Sequence, residues 1–203
     1  MCSPLNKNFI SLSIVFLLGG CLGASSTIPI RYYLIDPKEY QNEPFKTGKP
    51  LSIEIISLHI PQYLERFHIA TRTNKNQLKF SEDHQWGENL RKNLMRTLSR
   101  NLSALLSTLD IGTPLNRSAS LPDYRVQIYI EQFELESNQK VKLVARWQLS
   151  SRLKSNPLGV FKAKLQGKEE IIKDDYDQIV SVMRQLYGEL CERIAKTIIN
   201  QEQ

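Results

Sequence analysis

Apolar and polar residues alternate along several short runs of this chain and recur every four residues along two long ones. The first period predicts strands and the second predicts amphipathic helices. Arg31 to Ile35 reads as a short strand stopped by Asp36 and Pro37. From Leu51 to Ile60, Leu51, Ile53 and Ile55 alternate with Ser52 and Glu54, and the pattern breaks near Ile56 before Pro61. This is a half-buried strand with a register change at the break. Ile69 to Arg72 and Gln77 to Phe80 flank Thr73-Asn74-Lys75-Asn76, a hairpin pattern. Tyr124 to Leu135 sets Tyr124, Val126, Ile128 and Ile130 on one side. After a turn at Ser137-Asn138-Gln139, Lys140 to Leu153 answers with Val141, Leu143, Ala145, Trp147 and Leu149. A turn at Ser155-Asn156-Pro157 leads to a third strand, Gly159 to Gln166, completing a meander.

The four-residue recurrence begins with Trp86, Leu90, Leu94, Leu98, Leu102 and Leu106. Ser81 or Asp83 is the expected cap, and Gly112-Thr113-Pro114 lies beyond the end. Asp110 to Pro122 then forms a loop. Arg91, Lys92, Arg96 and Arg100 form a basic stripe on this helix: either a solvated face, or a face that docks on lipid headgroups or a partner. A second helix of about 25 residues opens at Asp174-Asp175. Gln178 stands where a capping box wants it, and Ile179, Met183, Leu186, Tyr187, Leu190, Ile194 and Ile198 form its stripe. The order of elements is not a regular β-α-β alternation. It predicts one α/β domain of the mixed α+β kind, with a mixed sheet of about six strands and two long amphipathic helices.

The N-terminus has a different character. Lys7 precedes an apolar run from Phe9 to Leu18, the length of a secretory signal core and shorter than the roughly 20 residues a membrane span needs. Leu18-Gly19-Gly20-Cys21 follows, a lipobox whose small residues admit a signal peptidase and whose thiol accepts diacylglycerol. We expect residues 1–20 to be a lipoprotein signal peptide, Cys21 to be acylated, residues 21–30 to be a tether, and residues 31–203 to be the folded domain. At about 3.3 Å per residue, Leu22 to Ile30 reach at most about 30 Å, which keeps the body close to the bilayer.

Cleavage leaves 183 residues, ample for one core. Lys7 is the charged residue lost, so the net charge of +6 becomes +5, a mild excess suited to an anionic lipid surface or an acidic partner. Cys2 leaves with the signal and Cys21 is modified, so Cys191, at helical spacing with Tyr187, Leu190 and Ile194, reads as a small buried hydrophobe. His59, His68 and His84 occur singly, without the spacing of a metal site. Neither a phosphate-cradling glycine loop nor a nucleophile elbow occurs outside the signal. The acidic cluster Asp174-Asp175-Asp177 suits a helix start. The expectations are no catalysis, no cofactor and no metal, and the exported address argues against nucleic acid.

The order Tyr32-Tyr33-Leu34, then Pro61, Tyr63-Leu64-Glu65-Arg66, Ile69, Arg72, Asn76, Leu78, Phe80, Trp86, Leu90 and Asn101-Leu102-Ser103, resembles the PqiC/YmbA group of ABC-type transport auxiliary lipoproteins. Glu65 stands where the group often has Asp, and Phe67 where Pro is common. The resemblance implies a non-catalytic accessory of an MCE (mammalian cell entry) lipid-transport system. It would sit at the periplasmic face of the outer membrane, contact an MCE-domain protein and form a homo-oligomeric ring. Leu22 after the cysteine, rather than Asp, implies outer-membrane sorting. A lipoprotein scaffold or activator of a cell-wall synthesis enzyme is the alternative. In the segment from Tyr63 to Arg72, the residues Tyr63, Arg66, Phe67 and Arg72 are either a crossover packed on the sheet or a surface for a partner or self-association.

Overall fold

A computed structural model of the chain describes residues 29–41, 43–117, 121–152 and 157–202. The expected signal, Cys21, the tether up to residue 28, Leu153, and Ser155 with Asn156 lie outside the described residues.

The strands are β1 (Arg31–Tyr33), β2 (Ile53–His59), β3 (His68–Asn74), β4 (Gln77–Trp86), β5 (Ile111–Gly112), β6 (Tyr124–Leu135), β7 (Val141–Ser151) and β8 (Gly159–Gln166). The helices are α1 (Leu90–Leu106) and α2 (Tyr176–Ile199), and a 3₁₀ turn, Gln62–Glu65, joins β2 to β3. All eight strands form one mixed sheet. The meander β6-β7-β8 is antiparallel, as its alternation predicts. The other edge of β6 is shared: β2 pairs in parallel with its first half, and β3 meets its last residue, Leu135. β5 extends the sheet beyond β2, and β4 and β1 extend it beyond β3.

The register shift in β2 falls between Ile55 and Ser57, where the alternation broke, and it leaves Ile56 exposed. β6 carries a second shift between Ile130 and Gln132. Inward residues therefore run Tyr124, Val126, Ile128, Ile130 and then Phe133 and Leu135. Phe133 stacks on Tyr187 of α2.

Both helices lie on one face of the sheet and pack against each other. Leu90, Leu94, Leu98, Leu102 and Leu106 are all buried, and each contributes roughly 2 kcal/mol by leaving water. Among the described residues no helix covers the opposite face of β6, β7 and β8, which is largely polar, as an antiparallel sheet allows.

Two expectations for the first helix change. Trp86 belongs to β4, where it pairs with Tyr33 of β1, and the cap is Asn89, whose Oδ1 accepts from the Lys92 amide at 3.2 Å. Pairing of β1 with His84–Trp86 draws these residues into the sheet, so Ser81 and Asp83 lie within a strand rather than before a helix. The helix stops at Ser107 in the left-handed conformation (φ 51°), earlier than the glycine and proline downstream suggest. Part of the expected loop, Ile111–Gly112, is β5. α2 begins as expected: Asp175 Oδ1 accepts from the Gln178 amide at 2.9 Å, while the Gln178 side chain reaches back to Ile172 N.

Candidate functional site

The segment that follows the tether is strapped into the groove between the helices. Asn93, Thr97 and Asn101 recur every four residues on α1 beside the leucine stripe, and each is 1% exposed. Asn93 Oδ1 accepts from Ile35 N at 2.8 Å, Thr97 Oγ1 donates to Ile35 O at 2.6 Å, and Asn101 Oδ1 accepts from Lys38 N at 3.0 Å. Buried polar groups are costly unless paired, and here the side-chain oxygens of the row take up the backbone of a segment outside the sheet. From α2, Arg184 donates to Pro37 O at 2.7 Å and Glu192 takes Lys38 Nζ at 2.8 Å. Gly188 lets Lys38 approach closely: a Cβ there would lie 2.5 Å from Lys38 Cδ. The Tyr187 hydroxyl donates to Leu94 O, tying the helices together beneath the strap. The backbone from Ile35 to Lys38 is thus tied to side chains of both helices.

Asn101 also donates to Cys191 Sγ at 3.4 Å. Burial pushes the Cys191 thiol up to about 12, the behaviour of a core residue.

The four residues singled out from Tyr63 to Arg72 divide. Tyr63 and Arg72 converge on Glu134, a fully buried carboxylate. Tyr63 OH donates to Oε2 at 2.6 Å and Arg72 Nε to Oε1 at 2.9 Å, and Gln132 Nε2 and the Phe133 amide add bonds of 3.1 and 3.0 Å. Burial, then the bond to Glu134, pushes the Tyr63 hydroxyl well above the usual phenol range. Burial works against the charge on Arg72, and Glu134 more than offsets it. Arg66 and Phe67 remain at the surface, with the Arg66 guanidinium 4.6 Å from the Phe80 ring centre and Phe67 57% exposed. Neither Glu134 nor the Asn93-Thr97-Asn101 row appears among the sequence candidates. The four-residue spacing was a signal for the row; a carboxylate between Phe133 and Leu135 was a fainter one for Glu134.

Ser81, Asp83 and His84 bring together the residue types of an acyl-transfer triad in a different geometry. His84 Nδ1 meets both Asp83 Oδ1 at 2.9 Å and Ser81 Oγ at 3.2 Å. A relay needs the hydroxyl and the acid on opposite ring nitrogens. The His84 ring stacks on Tyr176 at 4.1 Å and on Tyr33 at 5.7 Å, joining β1, β4 and α2. The hydrogen bond from His84 holds the Asp83 carboxyl below its usual range. His59 and His68 stay apart from this cluster: His59 stacks on Tyr129 and His68 meets Gln85.

On the uncovered sheet face Arg146 lies 4.2 Å from the Tyr129 ring centre, and Lys162 reaches Glu131 at 2.9 Å. These pairs are solvent-screened and each stabilises little. An open groove of about 760 Å³ beside Phe45, Lys46, Lys49 and Ser107 is a surface hollow, not an acyl-chain tunnel. Among the described residues no helix is long and apolar enough to cross a membrane, and no three His, Cys, Asp or Glu side chains converge to hold a metal ion.

The sequence profile of the ABC-type transport auxiliary lipoprotein component family matches residues 32–195. In fold the chain is similar to a crystallised uncharacterised protein, with a TM-score of 0.64 and 18% identity, covering 84% of this chain and 99% of the other. It is also similar to a DUF330-family protein from Xanthomonas campestris, with a TM-score of 0.62 and 10% identity, covering 82% and 89%. A comparison with proteins of curated function finds no match.

Proposed function

Because this chain belongs to the ABC-type transport auxiliary lipoprotein family, we propose that it is the lipid-anchored accessory of an MCE-type intermembrane lipid transport system. In this reading it is held at the periplasmic face of the outer membrane by acyl groups on Cys21 and contributes to envelope integrity without catalysing a reaction. The observation that carries the proposal is the family match beginning at Tyr32, directly after a lipobox and a short tether. Phospholipid tails cannot cross water unaided, so a conduit between two bilayers must be docked and aligned at each. A domain in which Ile35 to Lys38, shortly after the expected tether, are strapped between the two helices suits a mechanical mount of that kind. Several copies around a tubular partner would form a closed ring, because only a closed cyclic arrangement surrounds a tube without loose ends.

Crosslinking in cells tests the partner. Adducts with an MCE-domain subunit are the expected result, and adducts with a cell-wall synthase instead would overturn the proposal in favour of a scaffold for that enzyme. Labelled palmitate tests the anchor: it should enter the wild-type chain and not Cys21→Ala, which should move to the soluble fraction.

A further inference from the structure

Two open edges of the sheet lie at the ends of the path β8-β7-β6-β3-β4-β1, five strand spacings or about 24 Å apart. β5, at a third edge, is two residues long and runs into the turn from Thr113 to Asn116. β8 continues for eight residues without a register shift. Gly167 N donates to Val141 O, and pairs of this kind recur at every second residue, so Leu165, Ala163 and Phe161 also bond β7. The N–H and C=O groups of Val160, Lys162 and Lys164 therefore point outward. At the far edge Gly87 N donates to Tyr33 O, so Tyr33 faces β4, and the backbone groups of Ile30, Tyr32 and Leu34 face outward. An open row of such groups is a template for another strand.

We propose that β8 of one copy pairs antiparallel with β1 of the next, with Tyr32 opposite Lys162, and that this joint closes the ring around the tubular partner. The inference rests on the ring reading above, with Cys21 acylated. Strand direction carries it: β8 runs the same way as β6, and β1 runs against β6. A neighbour reached by rotation about an axis along the strands therefore presents its β1 antiparallel to β8, with its helices on the same side of the sheet. Every tether then leaves toward the same end, as anchors in one bilayer require. A two-fold pairing of β8 with β8, or of β1 with β1, would reverse the strands and send the two tethers to opposite ends. For β8 it would also bring the lysines of both copies together.

The faces match as well. Arg31 pairs with His84, which stacks on Tyr176 of α2, so Arg31 and Tyr33 lie on the helix side, and Ile30, Tyr32 and Leu34 on the other. Ala163 and Leu165 are buried on the helix side, which puts Val160, Lys162 and Lys164 on the other. With Tyr32 opposite Lys162, Leu34 meets Val160, 43% and 65% exposed in the single chain, while Tyr33 meets Phe161 on the helix side, both half-buried. Lys164 comes beside Ile30, at the end of β1 that Glu82 flanks. Other charges at the joint are answered within a copy: Arg31 by Asp177, Lys162 by Glu131, Asp83 by His84 and Asp36 by Arg96. About six backbone hydrogen bonds make each joint modest, but closure holds every copy at both edges.

The acylated chain carrying Tyr32→Cys and Lys162→Cys would be oxidised with copper phenanthroline in membranes. Cys191 is buried and takes no part. Facing residues of such a pair lie about 5.5 Å apart at Cα, within disulfide reach. The double variant should give a ladder of covalent multimers on a non-reducing gel, and each single variant should stay monomeric. Disulfide dimers from either single variant alone would overturn the inference by showing two-fold pairing, and so would a double variant that yields no ladder. Lys162→Pro removes an outward N–H and leaves the bonds to β7 in place. It should shift the detergent-extracted chain from multimer to monomer in sedimentation with circular dichroism unchanged; an undisturbed multimer would count against the joint. If adducts with an MCE-domain subunit form in cells and the ladder does not, this inference alone fails. If the ladder forms without those adducts, the joint stands and the transport reading fails.

Discussion

Replacing Glu134 by glutamine keeps the shape of the side chain and removes its charge, at a site where four donors point at two oxygens. The substituted amide keeps one acceptor oxygen, so whichever way it turns, its own N–H group faces donors. Each oxygen takes two of the four donors; with the new N–H group set toward Tyr63, whose hydroxyl can turn to accept, the Phe133 amide is the buried donor left unpaired, at a cost of about 1–3 kcal/mol. Arg72 also loses its counter-charge. Its side chain is 23% exposed, so water compensates in part and the added loss is about 1 kcal/mol. Together these give about 2–4 kcal/mol, and Glu134→Leu should cost about 3–5 kcal/mol because Arg72 then lacks any partner on that side. Urea unfolding of the chain from Leu22 onward reads the effect. With a slope of about 2 kcal/mol per molar, Glu134→Gln should lower the midpoint by about 1–2 M. Adding Arg72→Met to Glu134→Leu should recover much of the loss, since it removes the orphaned charge. Phe67→Ser, at the exposed end of the same segment, should change stability by less than about 0.5 kcal/mol. A midpoint for Glu134→Gln within about 0.3 M of wild type would show that Tyr63 and Arg72 do not depend on this carboxylate.

Gly188→Ala should favour the helix by about 1 kcal/mol in isolation yet destabilise the protein by about 1–2 kcal/mol, because the new methyl displaces Lys38 and the strap; hydrogen exchange at Ile35 and Lys38 should quicken, and unchanged protection there would refute the close-approach reading. Asp123 supplies an acid-limb test: burial works against its charge, but the Ser52 amide at 3.0 Å and Lys49 at 2.9 Å hold its carboxyl below the usual 3.8. The unfolded chain takes up this proton at higher pH than the folded one, so the contribution is complete above about pH 4 and is lost as the pH falls through the depressed value. Asp123→Asn should therefore flatten the fall of stability with acid, and parallel curves for variant and wild type would remove Asp123 from the account.

Local pattern in the sequence determined much of the architecture. Two-residue alternation marked the meander and the broken strand at Ile56, and the four-residue recurrence marked the helices at Leu90–Leu106 and Tyr176–Ile199. These periods arise within a single segment, because one face of a strand or helix must be apolar wherever its partner lies. Only the tertiary structure decided that Trp86 belongs to a strand, that Ile111–Gly112 joins the sheet, and that β2 and β3 share one edge of β6. The same holds for the fate of the candidate segment, in which Tyr63 and Arg72 turn inward to Glu134 while Arg66 and Phe67 stay outside. Each of these rests on a pairing between residues far apart in the chain, such as Ile35 with Asn93 or Tyr63 with Glu134. A period such as Asn93-Thr97-Asn101 marks a polar face but not what meets it, so neither partner's own stretch of sequence names the other; the pairing is favoured because an unpaired buried polar group is costly.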